Sequence, residues 1–562
     1  MKYLKQILKR HRALVIFYLG LGVVLAFLNN YSAAYFQQVL DRFTGGSLTL
    51  GVIWFYGAML AVLHLLYYLE EYPARKLEHG LYLELKVMAL EKLSRIDYLE
   101  YQRLGSGTLI QRVESGAQAG RNMLFSFGFC LVRELLPTMV FCMVFIGQMS
   151  RRVLLAVAVG YVLVFAVSQL LLRALYRIKE RVLTAEEHLS HYLVRGFMEL
   201  TTFRVNRRFG EELRRAREAK GEIVSSKVTM ALIHEAFFVV FALLMTLGKI
   251  GVIWYGWASG SMTVGEIAAL ITLLGNAYQP IAVFSVLFVQ YRLDKAAFAR
   301  YREFLDKREE PRLIEGENLP PLRGEIEFSH LCFSYGKRVL FQDFGLCIPA
   351  GQRVALVGES GCGKSTLLKL LMGLLRPERG AVLLDGRALS RYCLEGLYRQ
   401  VAYISQESPV FDGTLRENLL MGREIPEAAL EEALEAAQLS ALCARLEKGL
   451  DTPIGERGTA LSGGERQRLA LARLWFSDAK IVILDEATSA LDNRIEEAVL
   501  SRLMEKLTGC TMLSVAHRLG SVRDFDRILV FREGRIAAQG DWDTLLRESE
   551  DFRELYEKGI AR

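Results

Sequence analysis

The stretch RVALVGESGCGKSTLLKLLMGLL, residues 353–375, passes without a gap from an apolar run through a glycine-rich turn into a leucine-rich helical pattern. Strand, loop and helix in that order give the spacing GxxxxGK[ST] its meaning. The glycines let the backbone fold around a phosphate, and the free N–H groups at the helix start point at it. Lys364 then reaches the β- and γ-phosphates, and Ser365 offers its hydroxyl to Mg2+. Gly358, Ser360, Gly361, Cys362, Gly363, Lys364, Ser365 and Thr366 form the candidate nucleotide-binding loop, and the region around it reads as a mixed α/β domain.

About a hundred residues downstream, IVILDE at 481–486 is an apolar, β-branched run that ends in two carboxylates, as a buried parallel strand would. Neighbouring residues on a strand point to opposite faces, so the two acids cannot share one role. Asp485 is the candidate Mg2+ ligand, directly or through water, and Glu486 the group that orients or deprotonates the attacking water. Between loop and strand lies LSGGERQR, 461–468, a second glycine-rich turn opening a helix. One ATP needs one such cradle, so a second raises the question of whose phosphate it meets.

The chain has 562 residues, too many for one ordinary domain, and 52% of them are hydrophobic. That apolar content is concentrated in the first three hundred residues. Six stretches there are long enough to span a bilayer as helices, about 13–35, 50–69, 124–149, 153–173, 236–257 and 264–289. Basic residues collect in the N-terminal dozen and in the 70–123 and 173–228 connections, which places those segments in the cytoplasm. The formal charge of +7 is accounted for by these juxtamembrane residues and does not point to nucleic acid. Eight cysteines without a CxxC pair suggest neither a metal centre nor a disulfide framework. No small-residue cleavage site follows the first apolar run, so that segment is expected to be retained.

Both long cytoplasmic connections are helically patterned. Each holds a short transverse segment, 96–104 and 197–207, suited either to touching the soluble domain or to forming a solvated surface helix. Polar residues inside the spans are Arg133, Glu134, Lys249, Asn276, Tyr278 and Gln279, the last three just before Pro280. They fit two readings, lining of a translocation cavity or pairing between helices and snorkelling.

Taken together, LSGGERQRLALAR (461–473), LDEATSALD (484–492), YISQESPVFDGTLRENL (403–419), SVAHRL (514–519) and TPIGERG (452–458) closely resemble the nucleotide-binding domain of ABC transporters. Six spans placed before it resemble the exporter-type (type IV) half-transporters. The resemblance implies an all-α six-helix transmembrane domain, 1–305, a linker, 306–324, and an α/β P-loop ATPase domain, 325–562. It further implies that Tyr335 stacks on adenine, although a strand-end tyrosine covering the sheet is the alternative. Gln406 resembles the residue that touches Mg2+ and the attacking water, and His517 the switch histidine at the γ-phosphate. In this family Ser462, Gly463 and Gly464 of one protomer cover the ATP held by the other, which answers the question of the second cradle. The implied cofactors are ATP and Mg2+, and the implied partner is a second half-transporter, with a homodimer favoured because Glu486, His517 and LSGGE are intact. The expected activity is ATP-driven export of an amphipathic or lipophilic compound, lipid or peptide across the plasma membrane. The alternatives are uptake by a type IV-fold importer, for example of a metal-chelating siderophore, or an ATP-gated regulatory membrane protein.

Overall fold

The computed structural model describes residues 2–104, 106–260, 262–455, 461–516 and 518–560. The chain forms two compact units. One comprises Met1–Ser94 and Leu104–Lys307, and the other Arg95–Arg103 and Arg308–Arg562.

The first unit is helical. A short amphipathic helix, α1 (Lys2–Arg10), buries Leu4 and Ile7 and leads into α2 (Arg12–Thr44) and α3 (Leu50–Arg95). After the short α4 (Tyr98–Gln102), α5 (Ser106–Arg121) continues through two π-wound stretches, Asn122–Phe129 and Leu131–Leu135, into α6 (Leu136–Met149). Pro137 has no N–H to give the carbonyl of Arg133, so the ordinary ladder cannot run through this point and the helix is wound more widely before it. The expected third span, 124–149, is therefore a helix of changing pitch. The hairpin of α7 (Arg151–Met198) and α9 (Phe209–Ser259) is joined through α8 (Leu200–Val205), and α10 (Val264–Leu305) ends the unit.

Five of the described helical segments are long and apolar enough to cross a membrane: Arg12–Thr44, Leu50–Arg95, Leu109–Met149, Phe209–Ser259 and Val264–Leu305. The span expected at 153–173 lies on α7, where the side chains from 167 to 174 fall outside the described residues. Packing among α2, α6, α7, α9 and α10 buries a core that includes Ala33, Ile146, Val157, Leu270 and Leu273. Tyr278 of α10 donates to the Val157 carbonyl at 2.9 Å, and Tyr161 of α7 returns a hydrogen bond to the Ala277 carbonyl, with the two rings 5.0 Å apart.

The second unit is built on two sheets. An antiparallel one has the order β2-β1-β4-β5, from β1 (Ile326–Tyr335), β2 (Arg338–Ile348), β4 (Arg379–Leu384) and β5 (Arg387–Ala388). The other has the order β10-β9-β3-β8-β7-β6, from β3 (Arg353–Gly358), β6 (Val401–Ile404), β7 (Ile481–Asp485), β8 (Thr511–Val515), β9 (Arg527–Arg532) and β10 (Arg535–Gly540). All its pairings are parallel except β10 with β9. Every residue of β7 is buried, which is why that strand reads as an unbroken apolar run. β3 lies between β8 and β9, and its C-terminal end feeds the glycine loop and then α11 (Lys364–Leu371).

The segment around α4 folds with this second unit. Asp97 N–H donates to the Arg308 carbonyl at 3.0 Å and Glu310 N–H to the Arg95 carbonyl at 2.8 Å, so the residues after α3 and after α10 are bridged as a short antiparallel pair. Asp97 caps α4, Tyr98 and Leu99 pack against the sheet core, and Lys369 of α11 sits 5.7 Å over the Tyr98 ring. Glu310 is buried and holds both Arg312, at 3.0 Å, and Arg376. Burial works to raise the Glu310 pKa, but the hydrogen bonds and charges of the two guanidinium groups outweigh it and hold the carboxyl below its ordinary value.

Candidate nucleotide site

The loop after β3 wraps tightly enough to exclude side chains at its first glycine. Gly358 has φ 145°, and a Cβ there would lie 2.3 Å from the Phe531 carbonyl oxygen. Lys364, the first residue of α11, is buried and folds back across the loop, its Nζ donating to the carbonyls of Gly358 at 2.7 Å and Glu359 at 2.9 Å. Ser365 donates from Oγ to Asp485 Oδ1 at 3.2 Å, which joins the loop to the end of β7. Burial and the neighbouring Glu486 raise the Asp485 pKa, against hydrogen bonds from Ser365 and Tyr403. A buried carboxylate in that position beside a hydroxyl is a pair of hard oxygen donors, which fits Mg2+.

Glu486 sits just beyond β7 with φ 52°, a strained conformation for a residue with a side chain, and its N–H is tied to the Val515 carbonyl at 3.1 Å. Gln406 reaches the Glu486 carboxylate from the segment after β6, Nε2 to Oε2 at 2.6 Å. Tyr335, Ser360, Gly361, Gly363, Lys364, Ser365, Thr366 and Glu486 all line one cavity of about 390 Å3, so residues spread over 150 positions converge as their types suggest. The Tyr335 ring is held edge-on by Phe333 at 4.9 Å and stays part-exposed at the cavity wall. His517 and Glu456, Arg457 and Gly458 of the 452–458 motif lie outside the described residues.

Ser462, Gly463 and Gly464 are not among the residues that line this cavity. Ser462 caps the helix Gly463–Ala472 in a reciprocal capping box: its Oγ accepts from Glu465 N–H at 3.2 Å, and the Glu465 carboxylate accepts from Ser462 N–H at 2.7 Å. Burial alone would raise the Glu465 pKa, yet the bonds from Ser462 and Arg445 leave it lowered. Behind the helix start, Gln467 donates to Ser489 at 3.0 Å and accepts from Ala490 N–H at 2.7 Å, so this turn and the 489–492 loop form one rigid surface.

Two contributors escape a reading of the sequence. Arg338, at the start of β2, lines the cavity and reaches the Gly361 carbonyl at 3.4 Å. Tyr403 of β6 places its hydroxyl 3.4 Å from Asp485 Oδ2. Tyr403 precedes Gln406 by one turn of chain within a quoted motif, whereas Arg338 carries no local signal beyond a positive charge near Tyr335.

A phosphate-wrapping loop, an acid pair ending a buried parallel strand and a glutamine bound to the second acid define a P-loop ATPase, here in one polypeptide with a helical membrane unit. The model of the ABC transporter transmembrane region matches residues 15–280, and the ABC transporter model matches 341–489. The ATP-dependent lipid A-core flippase of Burkholderia pseudomallei (strain 1710b) is 31% identical over 503 residues, covering 87% of this chain and 83% of that one. The ATM1-type heavy metal exporter of Novosphingobium aromaticivorans is 32% identical over 381 residues, 66% of this chain and 62% of that one. A solved bacterial Atm1-family ABC exporter with ATP bound superposes with a TM-score of 0.81 at 25% identity, over 99% of each chain. The chain belongs to the ABC transporter family, with the fused architecture of its exporter half-transporters. It binds ATP and couples ATP hydrolysis to export, and exporters of this family work as dimers.

Proposed function

We propose that the chain is one half of a homodimeric export pump in the plasma membrane, moving an amphipathic or lipophilic compound outward, with residues 325–562 in the cytoplasm, 306–324 as the linker and 1–305 as the membrane domain. The observation that carries this reading is the convergence of Lys364, Ser365 and Glu486 on one cavity, with Gln406 bonded to Glu486, while Ser462–Gly464 stand outside it as a capped turn. A pocket built by one chain and a phosphate-binding turn left over fit a site completed by a second copy. The intact Glu486 and LSGGE in a single sequence favour two identical copies. The basic residues flanking the spans support the cytoplasmic placement of the ATPase.

In the assembled site, Gly358–Thr366 supply backbone donors and Lys364 the charge that hold the triphosphate, and Tyr335 offers its ring to the adenine. Ser365, Asp485 and Gln406 would hold Mg2+, which supplies positive charge against the β- and γ-phosphates. Glu486, held by Gln406, accepts the proton of the attacking water, and His517 is the switch residue for the γ-phosphate. The partner's signature turn completes the pocket, so hydrolysis removes the anion that both surfaces bind and lets them part. The capped surface of Ser462 through Asp492 and the bridged segment at α4 then move as rigid pieces. Purified, reconstituted Glu486→Gln tests this assignment: ATP binding persists and steady-state hydrolysis falls at least about a hundredfold, the lower range for losing a general base. Hydrolysis equal to that of the unmodified protein removes Glu486 from the role.

A further inference from the structure

Within the membrane unit, α2, α3, the helix through 131–149 and α10 enclose a cavity of about 100 Å3 whose lining is more polar than apolar. Asn29, Tyr67, Glu134, Thr138, Asn276 and Gln279 face it. Groups of this kind at the depth of an apolar span are costly and call for a function or a partner.

The basic group at the cavity has its partners within the protein. Arg133 Nε lies 2.9 Å from Glu70 Oε1, another guanidinium nitrogen donates to the Tyr18 hydroxyl, and the guanidinium carbon sits 5.0 Å over the Tyr18 ring. Glu70 is buried, and the Arg133 stem fills a gap that exists because residue 22 is glycine. The pair is built into the packing and brings no net charge to a ligand. Glu134 is different. Its side chain is 54% exposed, and its carboxylate comes no nearer than 3.6 Å to Arg133, beyond a good hydrogen bond. Of the three ionisable groups one is positive and two are negative, so the excess is a carboxylate. It lines the cavity together with the carbonyl-bearing side chains of Asn29, Asn276 and Gln279 and with Tyr67. An anion would meet repulsion from Glu134 and find Arg133 occupied. A cation would find a counter-charge, neutral acceptors and an aromatic ring, all in surroundings that strengthen each interaction.

We propose that this cavity is the headgroup subsite of the transported compound, and that it takes a positively charged head, an ammonium or guanidinium group on an amphiphile whose hydrocarbon part lies among the surrounding apolar helix faces. The proposal rests on the export reading and narrows its substrate class. The π-wound turns before Pro137 serve it by presenting Arg133 inward to Glu70 and Glu134 to the cavity from successive positions.

The test is direct binding to the full-length protein in nanodiscs, by calorimetry without ATP, with the heat of partition into empty nanodiscs subtracted. The probes are decyltrimethylammonium and decyl sulfate, which share a tail and differ in the sign of the head, both below micellar concentration. The expected result is saturable binding of the cation to the unmodified protein, at least tenfold tighter than that of the sulfate. Glu134→Gln weakens cation binding about tenfold, and Glu134→Asp, which keeps the charge, restores most of it. Equal binding of both probes, tighter binding of the sulfate, or no binding of either overturns the proposal on the unmodified protein alone. An unchanged cation affinity in Glu134→Gln overturns it as well. ATP hydrolysis measured on the same nanodiscs separates the two readings: its absence sinks the pump, whereas hydrolysis without cation selectivity sinks only this subsite.

Discussion

Glu310→Ala removes a carboxylate that ties the bridged segment after α10 to the residues following α11. In the native fold Glu310 accepts from Arg312 Nε at 3.0 Å, from the Arg312 backbone N–H at 3.1 Å and from Arg376 Nε at 3.2 Å. Breaking a buried ion pair from one side costs about 3–5 kcal/mol because the other charge is left without a partner. The cost here falls at or below the low end. The Arg312 guanidinium retains the Gly373 carbonyl at 2.9 Å, and Arg376, 37% exposed, can turn to water, where a lost pair matters little. About 2–3 kcal/mol remains, which for a unit of this size lowers the unfolding midpoint of the ATPase by roughly 4–12 °C. Differential scanning calorimetry of the solubilised protein reads that shift directly. Arg376→Ala is expected to cost less than half as much, since Glu310 keeps Arg312. A midpoint for Glu310→Ala within about 1 °C of the unmodified protein, or a larger loss from Arg376→Ala, would refute the reasoning that burial of Glu310 sets the magnitude.

Gly160→Ala would place a Cβ 1.9 Å from the Tyr278 hydroxyl and break the paired tyrosine bonds between α7 and α10. Overpacking of this kind costs about 1–3 kcal/mol, and Gly160→Ala with Tyr278→Phe, assayed by the same calorimetry, is expected to recover part of it. Tyr335→Ala is expected to weaken ATP binding about three- to tenfold by loss of an aromatic stacking surface worth about 1 kcal/mol, measured with a fluorescent ATP analogue. The pH dependence follows from Glu310 and Glu465, whose carboxyls both lie below the ordinary glutamate value in the folded chain because of the hydrogen bonds and charges that Arg312, Arg376, Ser462 and Arg445 bring to them. Each contributes stability fully present above that value and lost as pH falls through the lower folded-state pKa. Calorimetric midpoints at pH 7, 5 and 4 are therefore expected to hold and then drop, with a smaller drop in Glu310→Ala.

The elements legible in the sequence are those whose chemistry is local. β3 and β7 announce themselves because strands buried on both faces must be apolar along their whole length, and the loop between β3 and α11 because its tight wrap demands glycine at 358. Lys364, Ser365, Asp485 and Glu486 were readable as candidates for the same reason and Gln406 through the resemblance of its motif, and the fold joins Ser365 to Asp485 and Gln406 to Glu486. Contacts between distant positions were not readable. Glu310 and Arg376 are ordinary surface types in an ordinary linker and loop until the fold apposes them, and Arg338 acquires a place in the cavity only through the pairing of β1 with β2. The change of pitch before Pro137 was hidden because apolarity identifies a span without reporting its winding. Arg133 and Glu134 left two readings open. Both groups face the same cavity, but only the position of Glu70, on another helix, distinguishes the paired charge from the spare one.

The account depends on a nucleotide pocket that one chain begins and its twin completes. The direct measurement is a structure of Glu486→Gln trapped with Mg-ATP. The expected result is two nucleotides, each held by Lys364 of one chain and within hydrogen-bond distance of Ser462 from the other. A trapped molecule in which Ser462 faces solvent, or lies against the nucleotide bound by its own chain, would contradict it.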